Sequence, residues 1–382
     1  MKIKRTIIYL AGFLFSIPLA LTSYINSSFL ENFVNKYYLS ALYIVASIIT
    51  ILGLMEMPRI LTRIGNRLTS LVFSLLLFFA LILLAFADSS YVVIFAFILY
   101  FTTGNILIAS LDIFIEDFSS NSSIGRFRGF YMTIMNLAWV IAQMISGSII
   151  AKSSFTGIYL LSSIFMLLVA FIFIFFLSNF KDPQYKKVPV WKTIKFFARN
   201  KHVSKIYFLN LILKFFYAWM VIYMPIYLHE YLFFGWEKIG IIFTIMLLPF
   251  VFLSYPLGEL SDKIGEKKML IYGFLISAFF TFLIPLISEP KLWLWAGILF
   301  ATRVGAATIE VMSESYFFKV ETEENADAIS FFRNTTPIAY IIAPLCAISV
   351  FYFVPSFKYL FFVLSAIMFT GLFISFRLRD VK

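Results

Sequence analysis

Apolar runs of about 20 residues follow one another through almost the whole chain, broken only by short polar segments. Each run is long enough to cross a hydrocarbon layer about 30 Å thick as a helix. In lipid every backbone N–H and C=O must be satisfied within the protein, so only helices or closed barrels can span it. The runs show no apolar/polar alternation, which selects helices. Composition agrees: 62% of the 382 residues are hydrophobic and 13% are charged, whereas a soluble domain has about 45–50% and about 25%. The chain reads as an all-α polytopic membrane protein.

The runs predict twelve transmembrane helices near 6–27, 38–57, 68–87, 91–112, 128–150, 156–178, 203–228, 237–257, 269–287, 291–313, 332–353 and 357–376. The start, MKIKRTIIYLAGFLFSIPLALTS, resembles a secretory signal, but no A-x-A site follows and its apolar stretch is long. It reads as a retained first span. One long connection, rich in Lys, divides the spans six and six. This gives an N-terminal bundle (1–178), a basic linker (179–205) and a C-terminal bundle (206–382). Of the 31 Lys and Arg, five fall in one set of loops (Lys36, Lys152, Lys238, Lys291, Lys358) and two, Lys214 and Arg303, inside spans. The remaining 24 lie at the N-terminus, in the opposite loops, in the linker and in the C-tail. The positive-inside rule then puts both termini in the cytoplasm of a multi-pass plasma (inner) membrane protein.

The net charge of +11 is spread along one set of loops, with no finger, homeodomain or RNA-recognition signature, so no nucleic-acid partner is expected. A single cysteine, Cys346 in an apolar run, excludes an intrachain disulfide and a cysteine metal site. The two histidines, His202 and His229, form no H-E-x-x-H, and no nucleophile or paired-Asp motif appears. No enzyme activity, metal or cofactor is expected.

Two stretches repeat at half-length spacing. GELSDKIGEKKML, Gly258 to Leu270, aligns with PRILTRIGNR, Pro58 to Arg67, placing Arg63 on Lys263, Ile64 on Ile264, Gly65 on Gly265 and Arg67 on Lys267. Both fall in equivalent connections, after spans 2 and 8, as parallel repeats would place them. The later copy resembles the G-x-x-x-D-[RK]-x-G-[RK]-[RK] loop of the major facilitator superfamily. Gly258, Asp262, Lys263, Gly265, Lys267 and Lys268 fill the pattern, with Glu266 at a usually basic position. The earlier copy is degenerate: Pro58 replaces the first Gly and Thr62 the Asp, while Arg63, Gly65 and Arg67 remain. With twelve spans and a six-plus-six split, the resemblance covers the chain. It implies two pseudo-symmetric six-helix halves and alternating-access transport. It further implies that Asp262 caps the cytoplasmic start of span 5, near Arg126, Arg128 and Gly129, and so holds a gate shut.

Ionisable groups within spans are costly and mark solute or proton paths. Arg303 lies about 18 Å into its span, close to the midplane. Glu310, seven residues on, shares its helical face, and the two are expected to pair in one conformation. Lys214 is also near mid-depth, with Asn210 one turn away. Asn136, Trp139 and Gln143 form an i, i+3, i+7 stripe in span 5, and Asn105 and Asp112 lie seven apart in span 4. Substrate contacts are therefore sought at Arg303, Lys214, Asn210, Asn136, Trp139, Gln143 and Asn105. Two midplane cations hint at an anionic or carboxyl-bearing solute. Glu310, Asp112 and Glu314 are the candidate proton carriers. The competing reading is that such groups only bond helix to helix. The function expected is secondary active transport of a small organic solute, coupled to protons, by a monomer in the bilayer. A carrier-fold lipid scramblase and an uncoupled uniporter stay open as alternatives.

Overall fold

The computed structural model describes residues 2–117, 124–178, 180, 182, 195, 200–320, 332–354 and 356–379, without the side chains of a few helical residues among them. The described chain is helical throughout. In the first unit, Met1–Lys187, α1 spans Lys2–Ser23, α2 Asn26–Glu31, α3 Lys36–Phe86, α4 Ser90–Asp117 and α5 Ile124–Phe171, the last running on as a π-helical turn, Ile172–Phe176. In the second, Val188–Lys382, α6 spans Lys201–Ile226 and ends in a π-helical turn, Tyr227–Tyr231. It is followed by α7 (Trp236–Phe252), α8 (Ser254–Ile264), α9 (Glu266–Leu283), α10 (Leu292–Val320), α11 (Thr335–Phe353) and α12 (Tyr359–Phe376). The division between the units falls within the Lys-rich connection, and α6 begins at Lys201, ahead of residue 206.

Nine helical segments among the described residues are long and apolar enough to cross a membrane. Two of them, 49 and 46 residues long, are too long for one crossing. Each is broken by a residue with positive φ, Gly65 (φ 75°, ψ 168°) in α3 and Ser154 (φ 57°, ψ −169°) in α5, so each makes two passes. With α7, at 17 residues, the passes number twelve. Breaking at Gly65 uses the freedom of a residue without Cβ. Ser154 has no such excuse, and its conformation stores strain.

Within each unit the same neighbours recur. In the first, α3 packs on α4 and α5, and α1 on α5; in the second, α9 packs on α10 and α12, α10 on α7, and α6 on α11. Two helices of the second unit meet through glycines. A Cβ on Gly305 of α10 would lie 2.5 Å from the Gly273 carbonyl and 2.6 Å from the Ser277 nitrogen of α9, so the backbones touch there. Small residues allow such close approach where lipid supplies no hydrophobic drive. Large apolar side chains face outward along the spans, among them Leu52, Phe79, Phe95 and Phe252. In water such a surface would aggregate; here it is the lipid face. Tyr38 and Tyr91 in the first unit, and Trp293 and Tyr352 in the second, are well exposed at span ends away from the basic loops, as interfacial aromatics are.

Candidate functional site

The second unit builds its polar interior on α6 and α10, which pack together. The start of α6 is fixed by Asn200, whose Oδ1 accepts from the backbone N–H groups of His202 (3.1 Å) and Val203 (3.3 Å), a side-chain N-cap. Nearly four turns further on, Lys214 donates from Nζ to Glu310 Oε1 of α10 at 2.9 Å. The other carboxylate oxygen accepts from the Tyr217 hydroxyl at 3.3 Å. Tyr217 follows Lys214 by three residues, so the two share a face, and the ammonium lies 5.1 Å from the Tyr217 ring centre. The side chains of Lys214 and Glu310 keep only 14% and 19% of their surface exposed.

Arg303 sits on the same face of α10, two turns from Glu310, and is 1% exposed. Its guanidinium carbon is 4.8 Å from the Phe216 ring centre and 5.7 Å from that of Tyr217. Among the described residues neither terminal nitrogen has a hydrogen-bond partner. Cation–π contact is worth up to about 2 kcal/mol when desolvated, whereas removing an ion from water costs several. The rings therefore leave the guanidinium undercompensated. The sequence suggested a pairing of Arg303 with Glu310; here both Glu310 oxygens are taken up by α6 instead. Tyr217, which touches all three charged groups, was missed from sequence because a tyrosine in an aromatic-rich span does not stand out. Its i+3 spacing from Lys214 was the available signal.

Two other acids on or beside α10, Glu314 and Glu266, already have cations. Glu314 Oε1 accepts from Arg333 at 2.7 Å. Glu266, 1% exposed at the start of α9, pairs with Lys319 at 2.5 Å and accepts from Ser315 at 3.2 Å. The acid that departs from the loop pattern is thus one half of a tie between α9 and the end of α10.

Several remaining candidates bond helix to helix or to their own helix. Asn210 donates to Thr335 Oγ1 of α11 at 2.9 Å. In the first unit Gln143 donates to the Ala20 carbonyl near the end of α1 at 2.5 Å. Asn105 bonds back to the Phe101 carbonyl at 2.8 Å, and Trp139 stands edge-on to Tyr24, ring centres 6.3 Å apart. Asn136 and Asp112 are half-buried and each has an interaction partner. The structure brings Lys214, Glu310 and Arg303 into one cluster, with Asn210 a turn away and Glu314 in a separate pair.

The two repeated loops share one backbone feature. Gly65 and Gly265 (φ 88°, ψ 147°) both adopt positive φ, and each is followed at once by a helix. After Gly65, the Asn66 N–H donates to Asp182 Oδ1 at 2.6 Å, an acid from beyond the last span of this unit. Asn66 Nδ2 donates to the Ser110 carbonyl of α4 at 2.9 Å. Arg67 reaches the carbonyls of Phe173 (3.0 Å), Ser178 (3.1 Å) and Ile174 (3.2 Å), closing the end of the π-helical turn. Arg63 and Lys263 are exposed, Lys267 is half-buried, and Gly258 lies in α8. The side chains of Asp262, Arg126 and Arg128 lie outside the described residues.

No curated protein sequence matches this chain. Among solved structures, the human organic anion transporter MFSD10 (TETRAN) superposes with a TM-score of 0.72 at 12% identity, covering 97% of this chain and 98% of that one. At that identity the likeness shows the fold alone. A family model for the Major Facilitator Superfamily matches residues 6–238 and again 234–382. The twelve passes, the recurring helix neighbours and the paired glycine turns agree with that match, and the chain belongs to the major facilitator superfamily of membrane transporters.

Proposed function

We propose that this protein is a secondary active transporter, not an enzyme, moving a small organic solute by alternating access with proton coupling at Glu310. The observation that carries the reading is the part-buried Lys214–Glu310 pair, 2.9 Å apart, beside the Arg303 guanidinium, whose two terminal nitrogens have no hydrogen-bond partner among the described residues. A part-buried carboxylate held by one cation and one hydroxyl is a group whose protonation would rearrange its neighbours. Arg303 and Lys214 are the solute contacts of the C-terminal half. MFSD10 is described as an organic anion transporter, and anions are the charge class an uncompensated guanidinium would select.

The same reading places both termini on the cytoplasmic side of a cell membrane, the monomer being the working unit. Asp262 serves as the gate residue of the C-terminal half. The test is uptake into proteoliposomes, with and without an imposed pH gradient, for solutes that stabilise the purified protein in a thermal screen. Wild type should concentrate the solute in response to the gradient. Glu310→Gln should lose accumulation while keeping downhill exchange, since binding and rocking need no net proton movement. Undiminished accumulation by this variant would remove Glu310 from the coupling role.

A further inference from the structure

The charges on α6 and α10 do not balance, and the imbalance depends on one proton. Lys214 is neutralised by Glu310, Glu314 by Arg333, and Glu266 by Lys319. Arg303 has buried terminal nitrogens with no acceptor among the described residues. With Glu310 ionised, the Lys214–Glu310–Arg303 cluster carries one net positive charge, all of it on Arg303. A proton added to the Glu310 carboxylate leaves Lys214 fully charged but without its counter-ion. The cluster then carries two positive charges, and the ammonium and the guanidinium both flank the Tyr217 ring, at 5.1 Å and 5.7 Å.

We infer that the site takes an organic carboxylate and a proton together, the proton binding at Glu310 and freeing Lys214 as a second anion contact beside Arg303. The inference rests on the proposed placement of the solute site and adds the solute's chemical class and its coupling sense. Proton and carboxylate each improve the site for the other, and by linkage the effect is reciprocal. Two ligands that favour each other's binding ride the same conformational change, so the transport mode is symport. A cationic solute would behave oppositely: it would compete with the proton for Glu310 and meet an uncompensated guanidinium. The planar fork of Arg303 presents paired donors that match the two oxygens of a carboxylate. Phe216 and Tyr217 offer ring faces to the apolar body of an organic acid.

No other described group stands in for Glu310. Of the helices packed on α10, α7 carries its charges, Glu237 and Lys238, in its first turn. On α9 the charged residues are Glu266, Lys267 and Lys268, all in the first turn, with Glu266 held by Lys319. On α8, Glu259 and Lys263 are exposed; Asp262 also lies on this helix. From α6 the facing groups are Lys214 and Tyr217; its other ionisable residues include Lys201, His202, Lys205 and Tyr207 near its start and Tyr223 beyond the cluster. On α10 itself Arg303 precedes Glu310, and Glu314, Tyr316 and Lys319 follow it, Glu314 and Lys319 paired with other partners and Tyr316 donating to the Arg379 carbonyl.

The experiment uses the full-length protein in lipid nanodiscs and a panel of aliphatic and aromatic carboxylates, each beside its own primary amide. Binding is measured at pH 6 and pH 8, where the probes remain ionised, and thermal unfolding confirms that each variant is folded. Carboxylates should bind and their amides should not. Affinity should be about 5- to 150-fold tighter at pH 6, the range of ordinary coupling between sites. Glu310→Gln should bind at pH 8 at least as tightly as wild type does at pH 6, and lose the pH dependence. Lys214→Ala should also lose it, keeping the weaker affinity, and Arg303→Gln should abolish binding at both pH values. Absence of any carboxylate binding, equal binding of amides, or tighter binding at pH 8 overturns the inference. If amides or amines bind and still depend on Arg303 and Lys214, the solute site stands and the anion–proton linkage falls. If bound probes ignore all three variants, the site itself is misplaced and both readings fall.

Discussion

Gly65→Ala would put a methyl group against the carboxylate of Asp182, at a backbone conformation (φ 75°, ψ 168°) that is open to glycine and almost nothing else. Forcing a residue with Cβ into that region costs of order 1–3 kcal/mol. The displaced carboxylate also stops accepting from the Asn66 N–H at the start of the second pass of α3. A partly buried anion at a helix N-terminus contributes about 0.3–2 kcal/mol. Together the loss is roughly 1–5 kcal/mol, localised to the turn. The assay is hydrogen exchange read by mass spectrometry on peptides covering residues 60–75. At 1.36 kcal/mol per factor of ten, exchange there should accelerate roughly tenfold to several thousandfold, with α4 and α1 unchanged. Asp182→Asn, which removes charge but not shape, should produce only the smaller part. In the double variant Gly65→Ala, Asp182→Ala, the effects should fall short of additivity, because both remove the same contact. Wild-type protection in Gly65→Ala would refute the account, since neither the strain nor the contact would then be holding the turn.

Gly305→Ala should lower the apparent melting temperature, because its Cβ meets backbone atoms of α9 that cannot rotate away; overpacking of this kind costs about 1–3 kcal/mol. Ser154→Gly should raise the melting temperature, relieving positive-φ strain of order 1–3 kcal/mol at the break in α5. Glu266→Ala removes one acceptor shared by Lys319 and Ser315, and breaking a buried ion pair costs about 3–5 kcal/mol at most. Since Lys319 is partly exposed, the loss should be smaller, and much of it should return in the double variant Glu266→Ala, Lys319→Ala. Asp262→Asn should shift the carrier toward its inward-open form, read as cysteine accessibility at the two mouths, while Thr62→Asp should favour the outward-open form; unchanged accessibility in both would end the gating assignment.

Much of this molecule is dictated one residue at a time. Runs of about 20 apolar residues admit helices and little else, so the number of passes is written in the composition of each run. The glycine turns were legible too, because Gly65 and Gly265 repeat in frame and only glycine rests easily at positive φ. The expense of a charge inside a span marked Arg303, Lys214 and Glu310 before any geometry was known. What no single helix encodes is which partner each charge finds. Along α10, helical spacing puts Arg303 and Glu310 on one face and invites their pairing, yet the packing of α6 against α10 delivers Lys214 and Tyr217 to Glu310 and leaves Arg303 against two rings. Likewise Asn210 and Gln143 look like solute contacts in sequence, and only the neighbouring helices supply Thr335 and the Ala20 carbonyl that engage them. Asp182 reaches Asn66 across 116 positions of chain, a separation over which no local pattern carries information. Burial of a polar group is a cost borne by one residue and so shows in the sequence; its compensation comes from another helix, and only tertiary packing decides which.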